Sequence, residues 1–174
     1  MKKVGFFGGC FNPPTNIHIE LANKLIKEGK LDKVIFVPVN DYYNKENLEK
    51  AKHRYNMLKL ATKNYKDIEV DDIEIKENKL LYAVDAFEII EQSKYAKKSD
   101  IFFIMGSDNF KKMPTWNQYE KIKNKYNYIV IKRDEKEVSS TQIRQMIKSK
   151  DRKVIDYLPK EVYEYIIKNE LYKL

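Results

Sequence analysis

Short apolar runs that alternate with segments of helical period are the feature that most limits how this chain can fold. The runs lie at residues 4–7, 34–37, 101–105 and 128–131. Each run is too short for a helix and is rich in β-branched or aromatic residues, as are strands buried on both faces of a parallel sheet. Residues 68–75 predict a further strand of weaker, alternating character.

The segments between and after these runs have the apolar periodicity of helices. The predicted helices lie around residues 21–26, 55–62, 84–91, 141–149 and 160–169. Gly29 is the expected stop of the first helix, and Pro159 is the expected first residue of the last. This alternation predicts an α/β fold, a Rossmann-like open parallel sheet with helices on both faces and right-handed crossovers.

We expect one domain over residues 1–174, with a C-terminal helical part from about residue 139. In an open parallel sheet, ligands bind beyond the carboxyl ends of the strands, where the strand order reverses. The chemistry is therefore expected just after Phe7, Val37 and Met105.

Charge and composition narrow the classes of partner. The chain has 34 Lys and Arg against 26 Asp and Glu, a net charge of +8, which favours anionic partners unless the lysines merely solvate the surface. Cys10 is the single cysteine, so no internal disulfide or cysteine-based zinc site is possible. No apolar stretch reaches the length of a membrane span, and the N-terminus lacks a long apolar region. We expect a soluble, cytoplasmic protein without a membrane partner.

The first predicted strand runs directly into a turn rich in glycine and proline. Gly8 and Gly9 allow close backbone approach, which suits a phosphate or sugar lying against the main chain. Two prolines stiffen the loop, and Thr15 and His18 then stand three residues apart at a helix start. A hydroxyl and an imidazole so placed can both donate to one phosphate at the positive end of the helix dipole. Alternatively, Thr15 is simply an N-cap and His18 a surface residue.

A second turn follows the last predicted strand and a charged loop. Ser139, Ser140 and Thr141 place three hydroxyls beside free backbone amides at a helix N-terminus. Arg144 comes one turn later and can form two parallel hydrogen bonds to phosphate oxygens. The alternative is an ordinary N-cap followed by a solvated arginine.

Both turns resemble signatures of the nucleotidylyltransferase superfamily. The first is similar to (H/T)xGH after GGxFxP, with Thr15 and His18 in the matching positions. Ile17 stands in place of the usual glycine, and Cys10 in place of the commoner threonine. The second matches SSTxIR, which in that family holds the β- and γ-phosphates of ATP. The resemblance implies that Thr15, His18 and Arg144 are catalytic. It implies an ATP site made of Gly8, Gly9, Cys10, Phe11, Gly106, Asp108, Ser139, Ser140, Thr141 and Arg144.

Further stretches are similar to bacterial nicotinate-nucleotide adenylyltransferases. Residues 36–38 with Lys45 follow the pattern FVP…K, and residues 54–58 follow RxxML. Residues 105–109, followed by Trp116, resemble GxDN…W, and the C-terminal residues from 162 onward are similar as well.

The family resemblance also implies an acceptor site. Its members would be Lys45, Tyr82, Ala83, Asp85 and Trp116. Trp116 would stack on a pyridine ring, and Lys45 would screen triphosphate charge. The family usually has Ser-Tyr-Thr where this chain has residues 81–85, of which at most Tyr82 and Asp85 match, so we expect weakened discrimination between nicotinate and nicotinamide. The structural alternatives are a core or lid role for Trp116 and a solvated Lys45.

The implied reaction is transfer of AMP from ATP to nicotinate mononucleotide, with release of pyrophosphate and formation of deamido-NAD. The acceptor phosphate would attack the α-phosphorus directly, and Mg²⁺ would be held by water and the phosphates. His53 is expected to be solvated. Three alternatives stay open: another phosphorylated acceptor such as nicotinamide mononucleotide or phosphopantetheine, an inactive nucleotide-binding relative, and a nucleic-acid binder supported by charge alone.

Overall fold

A five-stranded parallel sheet forms the centre of the computed structural model, which describes residues 1–132, 134 and 136–173. The strands are β1 (Lys2–Gly9), β2 (Lys33–Pro38), β3 (Ile68–Val70), β4 (Ser99–Gly106) and β5 (Asn127–Ile131). Their order is β3-β2-β1-β4-β5, and every neighbouring pair is parallel. The Rossmann-like α/β fold expected from the sequence is confirmed.

Seven α-helices lie within the described ranges. They are α1 (Asn16–Lys27), α2 (Ala51–Thr62), α3 (Ala83–Glu91), α4 (Ser107–Lys112), α5 (Tyr119–Ile122), α6 (Ser140–Lys148) and α7 (Lys160–Lys168). Short 3₁₀ turns occur at Ala96–Lys98, Met113–Thr115 and Arg152–Asp156. Within the same ranges, no helix is long and apolar enough to cross a membrane.

Consecutive residues of the central strands supply two separate apolar cores. Phe7 and Phe36 point to one face and pack with buried residues of α1, α2, α6 and α7. Phe6 and Ile35 point to the other face and pack with α3 and with Ile122 of α5. Because both faces are covered, the strands read as continuous apolar runs in the sequence.

Three details differ from the sequence predictions. The strand expected at residues 68–75 ends at Val70, because the apolar alternation changes phase at Asp71 and residues 73–76 form a turn. Pro159 is the N-cap of α7 rather than its first residue. The short helices α4 and α5 had no recognisable periodic signal. Gly29 follows the end of α1 with a φ of 69°, as expected of a helix stop.

The strand order reverses beside β1. The chain builds β2 and β3 on one side of β1 and then crosses to place β4 and β5 on the other side. The carboxyl ends of β1 and β4 therefore mark the position where a ligand is expected.

Candidate active site

A cleft of about 440 Å³ opens at the carboxyl ends of β1 and β4. It brings together segments that lie far apart in the sequence. The predicted residues that line it are Gly8, Gly9, Cys10, Phe11, Thr15, His18, Lys45, Gly106, Asp108, Ser139, Ser140, Thr141 and Arg144. Every residue assigned to catalysis or to ATP from the sequence is in this set, so the structure places both predicted turns around one cavity.

The two glycines at the end of β1 have different surroundings. A Cβ on Gly9 would lie 3.1 Å from the ring of Phe11, so the small residue allows that ring to fold beneath the strand end. Phe11 is buried and packs edge-on against Phe36, with 5.2 Å between ring centroids. A Cβ on Gly8 would have the carbonyl oxygen of Val37 as its nearest neighbour beyond the adjacent residues, at 4.0 Å, so the fold itself does not require glycine there.

Thr15 and His18 form the start of α1 and combine both roles considered for them. Thr15 is the buried N-cap, and its backbone N–H donates to His18 Nδ1 at 2.9 Å. Since Nδ1 accepts this bond, the proton of the neutral imidazole lies on Nε2, which becomes the donor nitrogen of the ring. His18 is half-buried and lines the cleft, so it is not the plain surface residue of the alternative interpretation.

Ile17 occupies the second position of α1 and also lines the cleft. A helical backbone is open to any residue except proline, so the isoleucine does not disturb the turn. The substitution for glycine therefore changes the wall of the cleft and leaves the cap between Thr15 and His18 in place.

The second turn docks onto the first through side chains. The hydroxyl of Ser140 donates to the carbonyl of Pro13 at 3.0 Å. Arg144 Nη1 donates to the carbonyl of Asn12 at 2.8 Å, and its Nη2 lies 3.3 Å from Thr141 Oγ1. Arg144 is thus held by the protein and is not a freely solvated arginine. These contacts fix the distance between the two turns that the sequence predicts to bind phosphate.

Ser139 serves mainly as the N-cap of α6. Its hydroxyl accepts the N–H of Gln142 at 3.2 Å, and Gln142 Oε1 accepts the N–H of Ser139 at 2.8 Å. This reciprocal pair is a capping box. A role for Ser139 in ATP binding stays a prediction, with its hydroxyl already engaged in the cap.

Gly106 and Asp108 bring β4 into the cleft. Gly106 is the N-cap of α4, and a Cβ there would meet nothing within 4 Å. Asp108 follows in the first turn, where its carboxylate is exposed at the cleft. The position is consistent with the ATP-binding role that the family resemblance implies for Asp108, which stays a prediction.

Four residues assigned to the acceptor do not line this cleft. Tyr82 is the exposed N-cap of α3, and its N–H donates to Asp85 Oδ2 at 2.8 Å. Ala83 begins the same helix. Trp116 is half-buried against the apolar core that contains Phe6. The structure gives Tyr82 and Asp85 a capping function, and their predicted contact with the acceptor stays a prediction.

Arg54 is the main residue to which the sequence interpretation gave no role. It is fully buried, and it donates to the carbonyls of Glu49, Cys10 and Val39 at 2.6, 2.9 and 2.7 Å. These carbonyls belong to the segments that follow β1 and β2 and that precede α2. One side chain therefore ties together three segments around the cleft. Arg54 lies three residues before Met57 and therefore on the buried face of α2. This spacing could have identified Arg54 as a buried residue from the sequence.

Two titratable side chains near these segments are more buried than the sequence indicated. His53 is half-buried and its Nδ1 lies 2.9 Å from the hydroxyl of Tyr165, so it is not a solvated residue. Glu74 is buried, and burial raises its pKa to about 7, while the nearby Arg54 acts in the opposite direction. The sequence gave no indication of a buried carboxyl at this position, because it follows two acidic residues.

The fold and the two docked turns define a nucleotidyltransferase-type domain, and comparison with known proteins agrees. The family model described as Cytidylyltransferase-like matches residues 6–146. The nicotinate-nucleotide adenylyltransferase of Bacillus subtilis is 33% identical over 192 residues, covering 99% of this chain and 100% of the relative. A probable nicotinate-nucleotide adenylyltransferase of Carboxydothermus hydrogenoformans is 32% identical, covering 98% of each chain. The chain belongs to the nicotinate-nucleotide adenylyltransferase family.

Solved structures show the same fold. A putative nicotinate-nucleotide adenylyltransferase from Vibrio parahaemolyticus aligns with a TM-score of 0.77 at 24% identity, over 99% of this chain and 96% of that one. The Plasmodium falciparum nicotinic acid mononucleotide adenylyltransferase complexed with NaAD aligns with a TM-score of 0.80 at 20% identity, over 99% and 98%.

Proposed function

We propose that this protein transfers AMP from ATP to nicotinate mononucleotide, releasing pyrophosphate and forming deamido-NAD in NAD biosynthesis. The observation that carries the proposal is the docking of the two phosphate-binding turns on each other at the strand-order switch. Arg144 is held against the loop that leads into the cap between Thr15 and His18. The family membership supplies the acceptor, because the relatives that match the whole chain are named for nicotinate mononucleotide.

The reaction needs alignment and charge stabilisation rather than a nucleophilic side chain. An oxygen of the acceptor phosphate attacks the α-phosphorus of ATP, and the bond to the bridging oxygen of pyrophosphate breaks with its electron pair. His18 would donate from Nε2 to the α-phosphate region, beside the start of α1. Arg144 and Thr141 would hold the leaving pyrophosphate.

The charges in the cleft suit a triphosphate. Lys45, Lys112 and Arg144 line the cleft, together with the carboxylates of Asp108 and Glu137. Within the described residues, no group of three or more His, Cys, Asp or Glu side chains could hold a metal ion. We propose that Mg²⁺ would enter with ATP and would supply charge neutralisation at the leaving group.

The acceptor is tested with a substrate panel. ATP or CTP is mixed in turn with nicotinate mononucleotide, nicotinamide mononucleotide or phosphopantetheine, and both pyrophosphate and the dinucleotide product are measured. We expect the fastest turnover with ATP and nicotinate mononucleotide. Ala83 offers no hydroxyl to the nicotinate carboxylate. The loss of one charge-assisted hydrogen bond lowers affinity about ten- to a hundredfold, so the preference for nicotinate over nicotinamide mononucleotide should be smaller by this factor than in family members that have the hydroxyl.

Two results would contradict the proposal in different ways. Turnover of phosphopantetheine without either mononucleotide would refute the acceptor but keep the reaction type. Absence of pyrophosphate with every acceptor, despite ATP binding, would indicate a nucleotide-binding relative without turnover. In this panel the variant His18→Ala serves as the control with strongly reduced turnover. The cytoplasmic location expected from the sequence stays a prediction.

A further inference from the structure

Asn12 connects three separate parts of the chain beside the phosphate-binding turns. The residue is 1% exposed. Its Oδ1 accepts bonds from the hydroxyl of Tyr172 at 2.8 Å and from the N–H of Glu49 at 3.1 Å. Its Nδ2 donates to the carbonyl of Asn47 at 2.8 Å. Its backbone carbonyl accepts from Arg144, the residue proposed to hold pyrophosphate.

The partners of this amide fix its orientation. The N–H of Glu49 can only donate, so it must face the amide oxygen of Asn12, and the carbonyl of Asn47 must face the amide nitrogen. The hydroxyl of Tyr172 therefore donates to Oδ1. With all three bonds made, the side chain of Asn12 holds its own backbone in place, and this backbone presents the carbonyl that Arg144 contacts.

Tyr172 is itself held in an uncommon backbone conformation. Its φ is 61°, in the left-handed region that bulky residues rarely adopt, and the preceding Leu171 is buried. Such a conformation persists only where surrounding contacts determine it. The buried Leu171, whose N–H donates to the carbonyl of Ile166, and the hydroxyl bond to Asn12 help to anchor this segment.

We propose that Tyr172 is a positioning residue for Arg144, acting through Asn12, and that it thereby tunes the affinity of the cleft for the triphosphate of ATP. The inference rests on the proposed function for the identity of this ligand. Tyr172 lies outside the lining of the cleft and instead lines a neighbouring pocket together with Thr141 and Arg144. Its effect should therefore appear in the binding of ATP and pyrophosphate, with little effect on the acceptor.

The test is Tyr172→Phe, which removes one oxygen and keeps the ring. Two other bonds still hold the side chain of Asn12, so the effect should be moderate. We expect the dissociation constant for ATP and the inhibition constant for pyrophosphate each to rise about three- to tenfold, as the loss of one neutral hydrogen bond predicts. The KM for nicotinate mononucleotide should change less than about twofold.

A matched control is Tyr165→Phe. It removes another hydroxyl near the C-terminus, which bonds His53 and Asn56 and lies in α7, outside the cleft lining. The control should leave ATP affinity within about twofold of the wild type, so any general effect of losing a tyrosine hydroxyl is measured separately.

The route through Arg144 is tested by combining variants. If Tyr172 acts through Arg144, then Tyr172→Phe should change ATP affinity less than about twofold in an Arg144→Ala background. An unchanged affinity in the wild-type background, or an equal loss in both backgrounds, would overturn the proposal. Binding of ATP and pyrophosphate by calorimetry needs no acceptor, so failure of the acceptor assignment would leave this result interpretable.

Discussion

Replacing Arg54 with methionine should destabilise the protein strongly, although the two side chains have similar lengths. The guanidinium is fully buried and donates to three backbone carbonyls at 2.6 to 2.9 Å. Burial lowers the pKa of Arg54 from its ordinary value, but a guanidinium stays charged at neutral pH. Asp41 Oδ1 lies 3.9 Å away and is largely exposed, so it compensates little of the burial cost.

The size of this destabilisation can be estimated from the three backbone carbonyls that lose their hydrogen-bond donor. A hydrogen bond from a charged donor contributes about 1.5–3 kcal/mol, and the carbonyls become unsatisfied when the donor is removed. The relief of the buried charge offsets part of this loss. We therefore expect Arg54→Met to lower the free energy of unfolding by about 3–5 kcal/mol, which is less than the sum of three such bonds. For a chain of this length the melting temperature should fall by roughly 6–20 °C.

Urea unfolding followed by far-ultraviolet circular dichroism measures this change. Arg54→Lys is the matched variant, because it keeps the charge but lacks the planar fork of donors. Its free energy of unfolding should lie between those of the wild type and Arg54→Met. ATP affinity should fall in the same order, since the carbonyls belong to segments around the cleft. A methionine variant within about 1 kcal/mol of the wild type would show that these segments do not need the guanidinium, and the reasoning would be refuted.

Three further variants test the site. Glu74 keeps its proton up to a pKa of about 7 in the folded state but loses it near 4.5 when unfolded, so stability should fall as pH rises from 4.5 to 7. Glu74→Gln should remove this pH dependence and raise the free energy of unfolding by up to about 3 kcal/mol at pH 8. Denaturation at several pH values measures both effects. His18→Ala should lower kcat by roughly 10²–10⁴ in a pyrophosphate-release assay, while circular dichroism stays unchanged. Trp116→Ala should raise the KM of both mononucleotides, while calorimetry should find ATP binding nearly intact; an equal loss for ATP would contradict its acceptor role.

Much of the fold could be predicted because each strand of a doubly covered sheet reads as an apolar run. The prediction was wrong where the signal changed along one segment, since apolar residues at positions 68 and 70 are followed by apolar residues at 73 and 75. The order of the strands was not predictable from periodicity, which describes single elements and not their neighbours.

The site was predictable where short motifs carried it and less so where distant contacts did. Both predicted phosphate-binding turns follow strands of one parallel sheet, whose carboxyl ends lie at the same edge, so a common cleft could be expected. The bond from Arg144 to Asn12 spans 132 residues, and no local pattern indicates it. Tyr82 and Asp85 were assigned to the acceptor by family resemblance, which gave no indication that the two residues also cap α3.

The long spacing of these contacts sets when the cleft can form during synthesis. Ser140 contacts Pro13 across 127 residues, and Tyr172 contacts Asn12 across 160. A growing chain is made from its N-terminus, so the first glycine turn is made well before these two partners, which follow it by 127 and 160 residues. A chain that stops before Ser140 contains all five strands but lacks the second turn that is predicted to hold the triphosphate, so we expect ATP binding to begin only after α6 has been made.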